Sequence, residues 1–133
     1  MAEIDGGRVV AKQLKAAGID TIFGVVAGPT VQIMAGAAAE GLKVVGARHE
    51  ENGAFMAMAW GYVKKKPGVL VTGSGPGTTN AFTPLYAATE TGLPLVVLGG
   101  AVHSNSRGIG GFQEADQVSL MAPAAKWASG FEP

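Results

Sequence analysis

Few side chains in this 133-residue sequence can do chemistry, and they fall into short runs. Glu50 stands between His49 and Glu51 in the run Arg48-His49-Glu50-Glu51. This run follows an apolar stretch and opens a helical one. A carboxylate in that place can exchange a proton with a bound group. It can equally serve as a helix-start charge favoured by the macrodipole. A second run, Gly73-Ser74-Gly75-Pro76-Gly77-Thr78, lies between a strand pattern and a helix pattern, where backbone N–H groups can face an anion. It has no Lys after the last Gly, so it is not a Walker loop, and it lacks the G-x-G-x-x-G dinucleotide fingerprint. Its glycines also suit a tight turn or the close approach of a flat ligand. His103 is isolated, there is no cysteine, and no histidine has metal-ligand spacing, so neither a zinc site nor a Ser/His/Asp triad can be assembled. Lys64-Lys65-Lys66 reads as a solvated helix end that complements the dipole.

The elements that must position these runs follow from periodicity and punctuation. Residues 5–17 place Val9, Val10, Leu14 and Ala17 on one helical stripe, with Gly18 as a stop. Strands are expected over 21–26, 42–47, 69–72 and 94–98. Helices are expected over 31–40, 51–65 and 78–91, with a last one near 115–120. This alternation predicts an α/β fold with an open, mainly parallel sheet and helices on both faces. Ligands of such sheets bind at the carboxyl ends of the strands, which here collects residues 26–30, 48–51, 73–78 and 99–113 at one edge. Residues 54–63 are apolar all round, a pattern that calls for burial against another subunit or domain, or else for a central core helix.

Composition bounds the partners. Ten acidic and ten basic residues balance, and only 15% of the chain is charged against 47% hydrophobic, so nothing here attracts a nucleic acid. Each apolar run is too short to cross a bilayer. With no cysteine and no basic-then-apolar start, a cytoplasmic location is expected, and 1–133 reads as one domain.

Taken in order, Phe23-Gly24-Val25-Val26, Arg48-His49-Glu50, Ser74-Gly75-Pro76-Gly77-Thr78-Thr79-Asn80 and Phe112-Gln113-Glu114 resemble the N-terminal pyrimidine-binding domain of thiamine diphosphate (ThDP) enzymes. The group includes acetolactate synthase, oxalyl-CoA decarboxylase, benzaldehyde lyase and 2-hydroxyacyl-CoA lyase, and the resemblance covers nearly the whole chain. It implies that Glu50 bonds to N1′ of the cofactor's aminopyrimidine and drives its activation. It also implies that Val26, Ala27, Gly73, Pro76 and Asn80 shape the pyrimidine pocket, and that Phe112 and Gln113 face a small-molecule substrate. A carboxylate in that role has to be sequestered from water, so that its proton affinity approaches that of the ring nitrogen.

The family holds diphosphate and Mg2+ through a Gly-Asp-Gly motif in a separate domain, and no Gly-Asp-Gly occurs here. The resemblance therefore implies a diphosphate-binding domain in the same longer polypeptide or in a partner subunit, no metal ligand in this chain, and a homo-oligomer. The chain's end at Phe131-Glu132-Pro133, just past the last shared motif, suggests a domain boundary. Gly73 stands where acetolactate synthases commonly carry a hydroxyl residue, and Val25-Val26-x-x-Pro29 is closer to the acyl-CoA branch. The expected activity is thus a carbon–carbon lyase or ligase of 2-hydroxyacyl-CoA type, with an acetolactate-synthase-like carboligase or an oxalyl-CoA decarboxylase as alternatives. Two readings from other classes stay open: a non-catalytic module that keeps the fold, and a nucleotide-binding α/β domain resting on the glycine loop.

Overall fold

A computed structural model describes residues 5–131. The chain runs α1 (Gly6–Ala16), β1 (Thr21–Gly24), α2 (Val31–Ala39), β2 (Lys43–Gly46), α3 (Glu50–Lys64), β3 (Gly68–Thr72), α4 (Pro76–Thr79), α5 (Phe82–Thr91), β4 (Leu95–Gly99) and α6 (Gln117–Met121). Single 3-10 turns occupy Gly28–Thr30, Ser104–Ser106 and Ala122–Ala124. Asp5 caps α1 by accepting the Arg8 N–H at 2.9 Å, and its C-terminal stop at Gly18 takes φ +80°, as the glycine there predicts.

The described strands form one sheet in the order β2-β1-β3-β4, and every pairing is parallel. Thr21 to Gly24 pair with Lys43 to Gly46, and Gly68 to Thr72 pair with Leu95 to Gly99. After β2 the chain crosses over β1 to reach β3, so the winding direction reverses between β1 and β3. Their carboxyl ends border the crevice where open α/β sheets bind ligands. Both faces are covered. Ile22, Val69 and Val71 pack with Ala11, Met34 and Ala37 of α1 and α2. Phe23 and Leu70 point the other way, into a core with Ala54, Ala57, Leu85 and Met121. That alternation on two buried faces is what makes β1 and β3 continuous apolar runs.

Three sequence expectations need correction. β1 stops at Gly24; Val25 keeps one bond to the sheet, its N–H donating to the Val71 carbonyl at 3.3 Å, and Val26 and Ala27 lead on to the next helix. Residues 78–91 are not one helix: α4 ends at Thr79 with Asn80 as its C-cap, and α5 starts after Ala81. At this break the Asn80 side chain bonds to Glu50. Within this chain the apolar run 54–63 is not buried on every side, which overturns the central-core alternative and leaves its exposed face open to another subunit or domain. Gly53, Ala54, Ala57 and Gly61 bury its narrow face, while Phe55, Met56, Tyr62 and Val63 are exposed, the last two by 57% and 71%. Small residues bring α3 close to the sheet, and the bulky ones form the outer stripe. Among the described residues, no helix is long and apolar enough to cross a membrane.

Candidate functional site

Glu50 is the first residue of α3. His49 before it is extended (φ −148°, ψ 140°) and caps the helix, its Nδ1 accepting the Glu51 N–H at 3.3 Å. His49 thereby has a local structural job, and Glu50 and Glu51 leave the helix about 100° apart. The half-buried Glu50 carboxylate is approached from two sides. Its Oε2 accepts a hydrogen bond from Asn80 Nδ2 at 3.0 Å. Its Oε1 lies over the bare Cα of Gly77, where a methyl group would stand only 3.0 Å away. One oxygen is held and oriented, and beside the other the chain leaves room. Gly77 was part of the glycine loop read from the sequence, but its place against Glu50 required the fold.

The loop that carries Gly77 and Asn80 is fixed by a buried hydroxyl cluster. Thr72 and Thr78 share the Gly73 carbonyl, at 3.0 and 2.9 Å, and their hydroxyls are 3.0 Å apart. Thr30 donates to the Thr72 carbonyl at 3.1 Å and ties the start of α2 to the same edge. Among the described residues, every buried side-chain nitrogen and oxygen has a hydrogen-bond partner. The cluster is therefore satisfied and rigid. Gly73 faces Ala27 across the switch point: a methyl on Gly73 would meet the Ala27 Cβ at 3.2 Å. Bare backbone and a single methyl group thus line this part of the edge, which suits a flat ring.

The long connection after β4 comes back over the same loop. Gln113 adopts φ +61°, and its carbonyl occupies the space a side chain on Gly75 would need. Gly75, at φ +52°, is where glycine's freedom from a Cβ is required twice, by its backbone and by this contact. Ser74 Oγ donates to Gln113 Oε1 at 3.4 Å. Glu114 accepts backbone N–H groups from Gly108, from Gly110 at 2.9 Å and from Gly111 at 3.0 Å. Those bonds, the Gly108 one foremost, hold its carboxyl below the ordinary value of 4.5.

Of the residues singled out from sequence, Glu50 touches Asn80, Ala27 neighbours Gly73, and Gln113 reaches the Ser74-Gly75 turn. Val26 and Phe112 are 65% and 88% exposed, and Pro76, the first residue of α4, is exposed as well. Gln117, absent from the sequence reading, bonds to both Gly75 and Gly100. A polar residue in a short helix carries no motif that would have marked it. Among the described residues, no cluster of three or more His, Asp or Glu could hold a metal ion.

Comparison with known proteins gives this edge its context. The family model for the thiamine pyrophosphate enzyme N-terminal TPP-binding domain matches residues 4–120. A probable acetolactate synthase of Mycobacterium bovis is 42% identical over 123 residues, covering 92% of this chain and 22% of that protein. A 2-hydroxyacyl-CoA lyase of Saccharomyces cerevisiae is 39% identical over 123 residues, with the same coverage. An oxalyl-CoA decarboxylase of Escherichia coli is 38% identical over 129 residues, covering 93% of this chain and 22% of the other. The chain thus spans about a fifth of the length of these relatives. The parallel sheet, the glycine-lined edge and the match over residues 4–120 together make the chain a member of the thiamine pyrophosphate enzyme family, corresponding to its N-terminal TPP-binding domain.

Proposed function

We propose that this chain is the pyrimidine-binding half of a ThDP-dependent carbon–carbon lyase or ligase and that Glu50 is its catalytic residue. The observation that carries the reading is the Glu50 carboxylate, with one oxygen fixed by Asn80 and the other facing the bare Gly77. Gly73 and Gly77 present bare backbone and Ala27 only a methyl group, which fits a planar ring, and the exposed Val26 and Pro76 complete the rim of the site. When bound, the cofactor supplies a nucleophilic carbon and an electron sink for chemistry beside a carbonyl.

The residues of this chain then act on protons and position. Glu50 Oε1 holds or passes a proton at the ring nitrogen N1′. Asn80, bonded to Oε2 at 3.0 Å, keeps the carboxylate from rotating away. Gln113 and Phe112, on the loop over Gly75, face the substrate. Glu50 is only half-buried in this chain, so the partner surface that covers it would complete its removal from water.

Magnesium and the diphosphate belong, on this reading, to a diphosphate-binding domain in the same longer polypeptide or in a partner subunit, with residues 1–133 as one domain. The exposed Phe55, Met56, Tyr62 and Val63 of α3, and the exposed Tyr86 of α5, supply the surface for such a partner or for a homo-oligomer. A cytoplasmic location goes with this. We assign the substrate to the 2-hydroxyacyl-CoA class. Gly73 and the Val25-Val26-x-x-Pro29 pattern support that choice, and relatives named for three activities match this chain at 38% to 42% identity. The complete enzyme, loaded with magnesium and ThDP, is to be assayed on 2-hydroxyacyl-CoA, on oxalyl-CoA and on 2-oxoacids. Cofactor-dependent cleavage of the first is expected. Turnover of 2-oxoacids alone would move the assignment to the carboligase alternative, and no turnover of any would favour a non-catalytic module.

A further inference from the structure

Gln117 is the first residue of α6, and its side chain reaches back to the sheet edge with both ends. Its Oε1 accepts the N–H of Gly75, and its Nε2 donates to the carbonyl of Gly100 at 2.8 Å. Gly75 and Gly100 are both buried, and they lie on neighbouring loops, after β3 and after β4. A methyl group on Gly100 would sit 3.4 Å from the Ser74 nitrogen, which shows how closely the two loops run. One amide side chain therefore bridges them.

The bridged position governs α4. A single-turn helix cannot hold itself, because its nucleation is unfavourable without outside anchors. The Gly75 carbonyl accepts the Thr79 N–H at 3.0 Å, and the Pro76 carbonyl accepts the Asn80 N–H at 3.0 Å. The orientation of the Gly75 backbone thus sets the direction of the whole turn. Both groups that meet Glu50 ride on that turn: Gly77 beside Oε1 and Asn80 on Oε2. Thr78 pins its far side through the Gly73 carbonyl at 2.9 Å. At the near side, Gln117 holds the Gly75 N–H.

We propose that Gln117 is a positioning residue for the Glu50 carboxylate, acting through its grip on the Gly75 N–H and hence through Gly77 of α4 and its C-cap Asn80. This rests on the reading of Glu50 as the group that serves the cofactor. Loss of the grip lets α4 shift against Glu50, and misplacement of a catalytic group by about 1 Å is worth about 10²-fold in rate. Both ends of Gln117 can be tested separately. Gln117→Met keeps the length and loses both bonds. Gln117→Glu keeps an acceptor for Gly75 and loses the donor to Gly100, whereas Gln117→Lys does the reverse. Thr89→Val is the stability control. It removes a bond of 2.7 Å from α5 to the Ala124 carbonyl, in the same terminal segment but away from α4.

The measurements are made on the complete enzyme. Amide hydrogen exchange over residues 73–81 is followed without cofactor, and hydrogen–deuterium exchange at cofactor C2 is followed with magnesium and ThDP. We expect Gln117→Met and Gln117→Lys to speed exchange over 73–81 and to slow C2 exchange by about 10-fold or more. Gln117→Glu stays within about 3-fold of wild type, and Thr89→Val leaves both readouts unchanged. Wild-type behaviour of Gln117→Lys overturns the proposal, as does an equal loss in Thr89→Val. If Gln117→Met fails to fold, the ranking of the Glu and Lys variants decides, and a reversed order is a refutation. Glu50→Gln run alongside separates the two ideas. A slow Glu50→Gln with a normal Gln117→Lys removes only the positioning role. A normal Glu50→Gln removes the reading of Glu50, and the amide exchange over 73–81 then tests the grip by itself.

Discussion

Gly77→Ala should separate folding from chemistry. Gly77 sits in the first turn of α4 and is not among the glycines with positive φ, so alanine fits its backbone. Replacing a helical glycine by alanine stabilises by up to about 1 kcal/mol. Against that, the new methyl would lie 3.0 Å from Glu50 Oε1 and 3.7 Å from its Cδ, so the carboxylate must retreat by a few tenths of an ångström. The retreat stretches the Asn80 bond, now 3.0 Å. A hydrogen bond to a charged group contributes about 1.5 to 3 kcal/mol, and weakening it by a third offsets most of the helix gain. Stability should therefore stay within about 1 kcal/mol of the parent. Chemistry should not. At about 10²-fold per ångström, a displacement of about 0.3 to 0.5 Å slows cofactor activation by about 4- to 10-fold. The assay is hydrogen–deuterium exchange at cofactor C2 in the complete enzyme, with thermal melting measured in parallel. Gly6→Ala is the control, because nothing lies within 4 Å of its added methyl. A folded Gly77→Ala enzyme with wild-type C2 exchange would show that the bare Cα is not there for Glu50.

Where α1 crosses α2, a methyl on Gly7 would collide with the Gln32 carbonyl, so Gly7→Ala should destabilise by about 1 to 3 kcal/mol in chemical denaturation while leaving C2 exchange intact. The Glu114 carboxyl is held below its ordinary value of 4.5 by the N–H groups of Gly108, Gly111 and Gly110. Its ordering of the loop is therefore full above that value and lost as pH falls through the depressed folded value. Proteolytic nicking of residues 104–116 should rise on acidification, and Glu114→Gln should be nicked at all pH values to the same degree. Calorimetric titration of this chain alone with magnesium and ThDP should show weak binding or none, since no cluster among the described residues can hold the metal. Tight, magnesium-dependent binding would place the diphosphate site here.

The fold was legible because β1 and β3 are buried on both faces, and their runs stand out against glycine and proline punctuation. The break between α4 and α5 was not, because Asn80 keeps helical angles and no glycine interrupts residues 78–91. Pro84 was the available signal: proline is tolerated in a first turn, which dates the start of α5 to Phe82. In α3 the apolar composition hid the buried face, although the small residues Gly53, Ala54, Ala57 and Gly61 recur at helical spacing. Glu50 and the glycine loop could be found as motifs. The contacts of Glu50 with Asn80 and Gly77 span 30 and 27 positions and depend on β2 and β3 each pairing in register with β1, and local patterns do not encode that.

The most direct test of the account compares Glu50→Gln with Glu51→Gln in the complete enzyme, by hydrogen–deuterium exchange at cofactor C2. A helix-start carboxylate contributes about 0.3 to 1 kcal/mol to stability, so both variants should fold. Glutamine at position 50 can still accept from Asn80 but cannot exchange a proton, and the loss of a positioned acid–base group should slow C2 exchange by about 10² to 10⁴. Glu51, about 100° around α3, should be nearly neutral. Wild-type exchange in Glu50→Gln with slow exchange in Glu51→Gln would shift the assignment by one residue. Wild-type exchange in both would leave Glu50 as a helix cap charge and contradict the account.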